Sequence, residues 1–546
     1  MKVNVSEYLI KIIENSIEEL GWGALDIGGL SLEPPTDIRF GDLSTNIALR
    51  LGKALKENPL KIASDIVTVI QRNLEKSPLK DYVHKVKCEG AGFINFYLEN
   101  KFFYEYLRDI IIKDDNAIKP NLGKGMRVLI EFVSANPTGP LSVAHARQAA
   151  VGDVLGNIFE FSGFKIKREY YLNDEGNQIN ILGESVKLRL KELEGEKIEF
   201  PENYYQGEYI YDIARHIKDK GVKISNYSDF AVKYILKIIK QELNDFGVKF
   251  DFWYSQKKLR ESGKIERALK ILKKKGFTYE KDGAVWFRSS EFGDDKDRVV
   301  VKSDGTYTYL APDIAYHLEK YRRGFKWLIN LWGPDHHGYI NRLKAAVKAL
   351  GKKEDSLSVI IVQLASIFRE GRPIQMSTRK GQYITLREVI NEVGKDASRY
   401  FFLMRRTSSH LDFDLELAKK ETPENPVYYV QYAYARIASI LRNSTIKINA
   451  KKINLEVIKE KEEIDLIKKM NQFSYILNIC VSTQDPYMLV VYMQELAESF
   501  HKFYDRHRVL GESEELTKGR LALIKATQVI LGKGLDLLGV AKPDRM

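Results

Sequence analysis

Two stretches of this chain carry residue types and spacings suited to phosphate chemistry. The first is Ser134 to Gln148, SANPTGPLSVAHARQ; the second is MSTRKG at 376–381. The first follows an apolar run, RVLIEFVS (127–134), that reads as a buried strand. A Pro/Gly-punctuated turn comes next, and then a long apolar-periodic helix, HARQAAVGDVLGNIFEFSG, with His145 in its first turn. Strand, tight turn and helix N-terminus make an anion site, because unpaired N–H groups and the positive end of the helix dipole face the same point. Ser377, Thr378, Arg379 and Lys380 form a second loop suited to phosphate. Two such loops bracketing one α/β block predict a nucleoside triphosphate gripped from both sides.

The elements that must position these residues fall into three regions. Residues 1–115 read as an α+β domain, with helical patterns before an extended segment, GFINFYLEN (92–100), and a linker near 113–125. Residues 120–390 alternate strands and helices as a doubly wound sheet does, with a lysine-rich, irregular insertion at 180–300. From 391 to 546 the pattern is helical throughout and predicts an all-α bundle.

Composition narrows the function classes. At 546 residues, 44% of them hydrophobic, the chain is long enough for several cores. No apolar run approaches a membrane span and MKVNVSEYLIKIIENS has no signal-peptide core, so a cytoplasmic protein is expected. Cys88 and Cys480, the two cysteines, have no metal-type spacing; two buried free thiols are expected, and neither zinc nor another metal is. The net charge is +12, and most of the excess lies in residues 120–422, with 52 Lys and Arg against 41 Asp and Glu. That surplus sits where phosphates would collect.

Taken in order, the motifs resemble one family over essentially the whole chain. They are FGDLSTNIA (40–48), ANPTGPLSVAHAR (135–147), YLNDEGNQI (171–179), DGTYTYLAPDIAYH (304–317), GPDHHGYI (333–340), MSTRKG, NPVYYVQYAYARI (425–437) and a Pro-x-x-Met tail at Pro543–Met546. The family is that of the arginyl-tRNA synthetases, class I aminoacyl-tRNA synthetases. The resemblance implies a Rossmann-type catalytic domain between an N-terminal domain that meets the tRNA elbow and a helical anticodon-binding domain. Ser142-Val143-Ala144-His145 stands where the family usually has a His-x-Gly-His signature. His145 is retained; Ser142 keeps a donor, and Ala144 adds a methyl where close approach is wanted. Ser142 also reads as an N-cap, and the two roles are compatible. Gln375 stands where the second signature usually begins with Lys.

Several roles follow from the resemblance. His145, Ser142, Arg379 and Lys380 are the expected catalytic residues, the last two as cations that follow the pyrophosphate. ATP contacts are expected from Asn136, Pro137, Gly139, Ala144 and His145. Further contacts are expected from Gly333, Asp335 and His337 in the loop after WLINLW, and from Met376 and Ser377. The pair His336 and His337 is not read as a metal site, since neighbours on an extended chain point apart. Arginine is expected at Glu131, Asn136, Tyr309 and Asp313: a guanidinium needs a coplanar carboxylate, and the i,i+4 spacing of Tyr309 and Asp313 puts them on one helix face. For RNA, Asn95 and Tyr97 alternate onto one side of a strand. Tyr429, Tyr432 and Arg436 share a helix face where unpaired bases could stack, although a tyrosine stripe is as readily core.

The expected function is ATP-dependent ligation of L-arginine to its tRNA through arginyl-adenylate, with Mg²⁺ on the ATP and tRNA bound before arginine is activated. The chain is read as a monomer with no membrane partner. Ser142, Ala144 and Gln375 motivate the alternative, a non-catalytic tRNA-binding or regulatory paralogue.

Overall fold

A computed structural model describes residues 5–25, 28–35, 37–221, 223–374 and 383–546. At the N-terminal end, strands β1 (Leu43–Thr45), β2 (Val83–Glu89) and β3 (Phe93–Leu98) form an antiparallel sheet ordered β1-β3-β2, packed by the helices Val5–Glu19, Ile47–Leu55 and Pro59–Glu75. The next element is one the sequence reading did not anticipate; the linker expected at 113–125 begins where it ends. Asn100–Lys113 is a helix that buries Phe102, Phe103, Tyr106, Leu107 and Ile110. It docks on the C-terminal helices through Tyr104 Oη to Ile458 O (2.6 Å) and Tyr106 Oη to Met470 O (3.1 Å).

The central block is a five-stranded, wholly parallel sheet built from β4 (Arg127–Glu131), β5 (Lys165–Leu172), β6 (Phe252–Ser255), β10 (Trp327–Trp332) and β11 (Leu357–Ile361). The order is β11-β10-β4-β5-β6, so the chain starts in the middle, winds to one edge and returns to wind to the other. The reversal falls between β4 and β10, which is where a doubly wound sheet opens a crevice at its carboxyl edge. β4 is buried at Val128 to Glu131, as a strand covered on both faces must be.

The 180–300 stretch is not irregular. It holds the helices Glu208–Lys220, Tyr227–Asp245 and Lys264–Lys274, a small antiparallel sheet β7-β8-β9 (Thr278–Lys281, Ala284–Phe287, Arg298–Val301), and β6 itself, an edge strand of the central sheet. Its lysines ride on exposed faces while Ala231, Val232, Ile235, Ile239 and Leu243 line the buried side of one helix. High charge density hid an ordinary amphipathic period there. A third sheet, β12 (Ala365–Arg369), β13 (Arg372–Pro373) and β14 (Leu411–Asp414), precedes the C-terminal helices, which run from Pro426–Asn443 to Glu514–Leu538. Of the two thiols, Cys480 is buried and Cys88 is only half-buried, so the expectation of two buried thiols holds for one.

Candidate active site

A cleft of about 1160 Å³ opens at the carboxyl ends of β4 and β10. The turn leaving β4 forms one wall. It carries backbone strain: Val133 and Ser134 have φ of +67° and +39°, a region a β-branched residue enters only when its surroundings hold it there. Ser134 Oγ accepts from Tyr171 N (3.1 Å) and donates to Glu131 Oε1 (3.2 Å), and Tyr170 Oη donates to Ala135 O (2.8 Å). Exposed Asn136 lines the cleft and donates to Gln178 Oε1 (2.8 Å), whereas Pro137 is buried and is not part of the lining.

The helix Val143–Phe161 starts at the cleft with a capping box in which Ser142 is the N-cap and His145 the third helical residue. Ser142 N donates to His145 Nδ1 (3.2 Å), and Ser142 Oγ lies 3.0 Å from the same nitrogen. Burial lowers the His145 ring to about 4. The ring is therefore neutral at pH 7, and with Nδ1 accepting, its proton is on Nε2. His145 therefore offers the cleft a neutral N–H donor. Ala144 also lines the cleft. Gly139 does not. A Cβ there would stand 3.1 Å from the Tyr209 ring and 3.2 Å from Tyr383 Oη, so a side chain would crowd two tyrosines that the glycine lets pack close.

Gln375, Met376, Ser377, Arg379 and Lys380 lie outside the described residues. The segment that follows them in sequence is tied to the first signature: Val143 N donates to Ile384 O (3.2 Å), Leu386 N to Leu141 O (2.8 Å), and Tyr383 Oη to Pro140 O (3.1 Å).

The opposite wall is the helix Leu310–Arg322. Pro312 falls in its first turn, where no N–H is needed. Tyr309 is the residue before the helix and is 79% exposed; it lines the cleft with Asp313. Asp313 accepts from Tyr339 Oη at 2.6 Å. Burial raises its carboxyl to about 7, against the opposing pull of that hydrogen bond. Gly333 and Asp335 also line the cleft. Of the two adjacent histidines it is His336, beside the Trp332 ring at 5.8 Å, that reaches the lining; exposed His337 does not. Among the described residues no three His, Cys, Asp or Glu side chains gather as a metal site.

Beneath the cleft lies a buried polar row of which the sequence reading named Glu131 alone. Asn330, Glu131 and Glu169 are register partners on β10, β4 and β5. Lys320 Nζ donates to Glu131 Oε2 (2.5 Å) and Asn330 Oδ1 (3.1 Å); Tyr316 and Arg323 bond Glu169. Asn330 Nδ2 donates to His317 Nε2 (2.9 Å), and His317 Nδ1 donates to Asp313 O (2.8 Å). The available signal was Asn330, a polar residue inside the apolar run WLINLW.

Comparison with known proteins decides what this architecture is. Residues 107–409 match the family model of the class I tRNA synthetase (R) catalytic domain, residues 7–98 that of the arginyl-tRNA synthetase N-terminal domain, and residues 430–546 that of the DALR anticodon-binding domain. The chain belongs to the arginyl-tRNA synthetase family. It is 42% identical over 560 aligned residues to the arginine–tRNA ligase of Citrifermentans bemidjiense and 42% over 562 to that of Bacillus subtilis, each match covering 100% of both chains. The Thermus thermophilus arginyl-tRNA synthetase structure, 21% identical, shares the fold with a TM-score of 0.78 over 99% of this chain and 100% of that one.

Within this synthetase fold the residues expected to meet RNA sit at two separate places. Asn95 is buried and committed: Ser44 Oγ donates to its Oδ1 (2.6 Å) and its Nδ2 donates to Glu89 Oε2 (3.1 Å). It therefore braces the N-terminal sheet and, at 3% exposure, is not a surface contact. Tyr97 is half-buried, its hydroxyl bonded to Arg39 O (3.2 Å) and Glu89 Oε1 (3.3 Å). On the helix Pro426–Asn443, Tyr429 and Tyr432 flank the His501 ring at 4.7 and 5.9 Å, and the Arg436 guanidinium lies 5.1 Å over Tyr432. These three form one partly exposed aromatic–cation cluster. No helix among the described residues is long and apolar enough to cross a membrane.

Proposed function

We propose that this chain ligates L-arginine to its tRNA in two steps. The arginine carboxylate attacks the α-phosphorus of ATP, carried as its Mg²⁺ complex. The bond to pyrophosphate breaks and arginyl-adenylate forms. The 2′-hydroxyl of the terminal adenosine then attacks the activated carbonyl, loses its proton, and releases AMP. No covalent enzyme intermediate is needed, so the side chains act by position and charge.

The observation that carries this reading is Asp313. It is a carboxylate held in the cleft wall by Tyr339, with Glu131 as a second acidic group in the same cleft. Asp313 takes the guanidinium, with Tyr309 over it; Glu131 and Asn136 hold the ammonium end. The neutral His145 donates through Nε2 to ATP, joined by Ala144, Gly333, Asp335 and the backbone at Ser142. Met376, Ser377, Arg379 and Lys380 complete the phosphate grip. Residues 120–390 do the chemistry, the region from 391 reads the anticodon through the Tyr429, Tyr432 and Arg436 cluster, and the N-terminal region meets the tRNA elbow through Tyr97. The functional unit is one chain in the cytoplasm.

ATP–pyrophosphate exchange with arginine and cognate tRNA tests this directly. Removing one partner of a desolvated charge pair costs ~2–5 kcal/mol, so Asp313→Ala should lower kcat/KM for arginine roughly 30- to several-thousand-fold while the KM for ATP holds. Activity within threefold of the parent would refute the assignment, and a parent with no exchange activity would favour a non-catalytic paralogue.

A further inference from the structure

Lys320 is fully buried, an unusual place for an ammonium. It lies on the helix Leu310–Arg322, two turns on from Asp313, and points at the sheet. Three groups surround its Nζ: Glu131 Oε2 at 2.5 Å, Asn330 Oδ1 at 3.1 Å and the Tyr316 ring, 4.2 Å from its centroid. Asn330 is oriented in turn by His317. Glu131 is thereby divided between two neighbours. Oε2 belongs to the lysine, while among the described residues Oε1 receives the Ser134 hydroxyl alone, at 3.2 Å, and Glu131 as a whole lines the cleft.

We propose that Lys320 is a positioning residue for the amino-acid substrate: it holds Glu131 as an oriented carboxylate with one oxygen turned to the substrate's ammonium. This rests on the assignment of that ammonium to Glu131. The charge inventory explains why an internal cation is needed. Glu131 is faced by Asp313 and Tyr316 from the helix, by Glu169 and Tyr171 from β5, by Asn330 from β10 and by Ser134 from its own loop. Glu169 is matched by Arg323, at 2.5 and 2.8 Å, so it makes no claim on Lys320. Lys320 is the only cation bonded to Glu131 among the described residues. Remove it, and Glu131 becomes a buried charge beside another acid, a situation that proton uptake relieves. A protonated Glu131 attracts no ammonium.

The test is the pH dependence of the arginine KM in aminoacylation with saturating ATP, Mg²⁺ and cognate tRNA, from pH 6 to 9. The parent should show one ionisation, that of Asp313, with KM rising about tenfold per unit below pH 7 and level above it. Lys320→Met should raise the arginine KM at pH 7 at least tenfold and add a second ionisation, so that KM keeps falling as pH rises above 8. Its ATP KM should stay within threefold, and Lys320→Arg should restore the one-proton profile. Glu131→Gln separates the two layers of the argument. If it keeps the parental arginine KM, the assignment of the ammonium to Glu131 fails. If it is impaired while Lys320→Met follows the one-proton profile, the role of Lys320 fails. Should Lys320→Met not fold, the charge-neutral Glu131→Gln/Lys320→Met protein carries the test. It should match Glu131→Gln in arginine KM, and a value more than threefold higher overturns the proposal.

Discussion

Asp313 is a carboxyl group whose stability and function pull in opposite directions. In the folded chain burial raises it from 3.8 to about 7. For an acid the sign is fixed: the folded state holds the proton more tightly, so this group's contribution to stability is greatest at low pH. It is lost progressively as pH rises from about 4 to 7. At order of magnitude that shift corresponds to ~4 kcal/mol at pH 8, less whatever solvent relaxation returns. Asp313→Asn, which keeps the shape and removes the titration, should unfold at a higher temperature than the parent at pH 8 and by a smaller margin at pH 5, the difference vanishing only below about pH 4. The same protein should bind arginine poorly at both. A thermal scan at the two pH values decides it, and a variant less stable than the parent at pH 8 would mean that the carboxylate is already compensated without substrate. His145 makes the complementary residue-scale prediction. Its ring is neutral above about 4, so adenylate formation should show no ionisation from it between pH 5.5 and 8. His145→Ala loses a donor to a charged phosphate, which costs ~1.5–3 kcal/mol, and should slow exchange roughly 10- to 150-fold.

At the scale of elements, the strand–turn–helix at 127–161 was legible because each part announces itself locally. An apolar run is a strand, Pro and Gly break it, and Ser142 begins a helix. The pairing of Asn330 with Glu131 was not legible, since it depends on the register of two strands about two hundred residues apart. Asn95 misled for a related reason: alternation in FINFYL gives its side of the strand but not that Ser44 and Glu89 wait there. The helix Asn100–Lys113 was missed although its apolar period is clear, because the partner that buries it lies beyond residue 450. Ser142 can now be assigned a sharper role. It closes a capping box with His145 and forms a bridge with Thr385, the N-cap of the helix Leu386–Phe402. Ser142→Ala should therefore cost ~0.5–2 kcal/mol of stability and should slow exchange as well, because the ring keeps the backbone bond but loses the hydroxyl 3.0 Å from Nδ1. Urea denaturation together with exchange rates measures both, and a loss of stability with no loss of rate would make Ser142 a cap alone.

The whole molecule is joined at a buried junction that no local pattern foretold. Arg399 is fully buried, and its guanidinium reaches three parts of the chain. Nη2 pairs with Asp153 (2.6 Å) on the helix that begins at the cleft. Nη1 donates to Phe246 O (3.1 Å) at the end of the helix Tyr227–Asp245, and Nε donates to Leu538 O (3.0 Å) at the end of the last helix. Asn157 adds a bond to Leu537 O (3.0 Å). The final carbonyls of the C-terminal helix, the negative end of its dipole, are thus capped by the cleft helix and its partner. Gly539 is required just beyond, with φ of +68° and a Cβ position only 2.3 Å from Arg399 Nη2. Arg399→Met leaves Asp153 with Arg168 alone, whose Nε lies 3.3 Å from Oδ1, so the loss should fall below the ~3–5 kcal/mol of a stranded buried charge yet lower the urea midpoint by more than loss of an exposed pair such as Lys502–Glu498. Burial also shields the pair from ions, so the effect should be the same in 0.05 and 0.5 M salt. Asp153→Leu together with Arg399→Met should recover part of the loss, giving a coupling of about 1–3 kcal/mol in a double-mutant cycle. Additive single effects would mean that Arg399 acts through the two carbonyls alone, and that the cleft helix and the C-terminal helix are held together by packing rather than by charge.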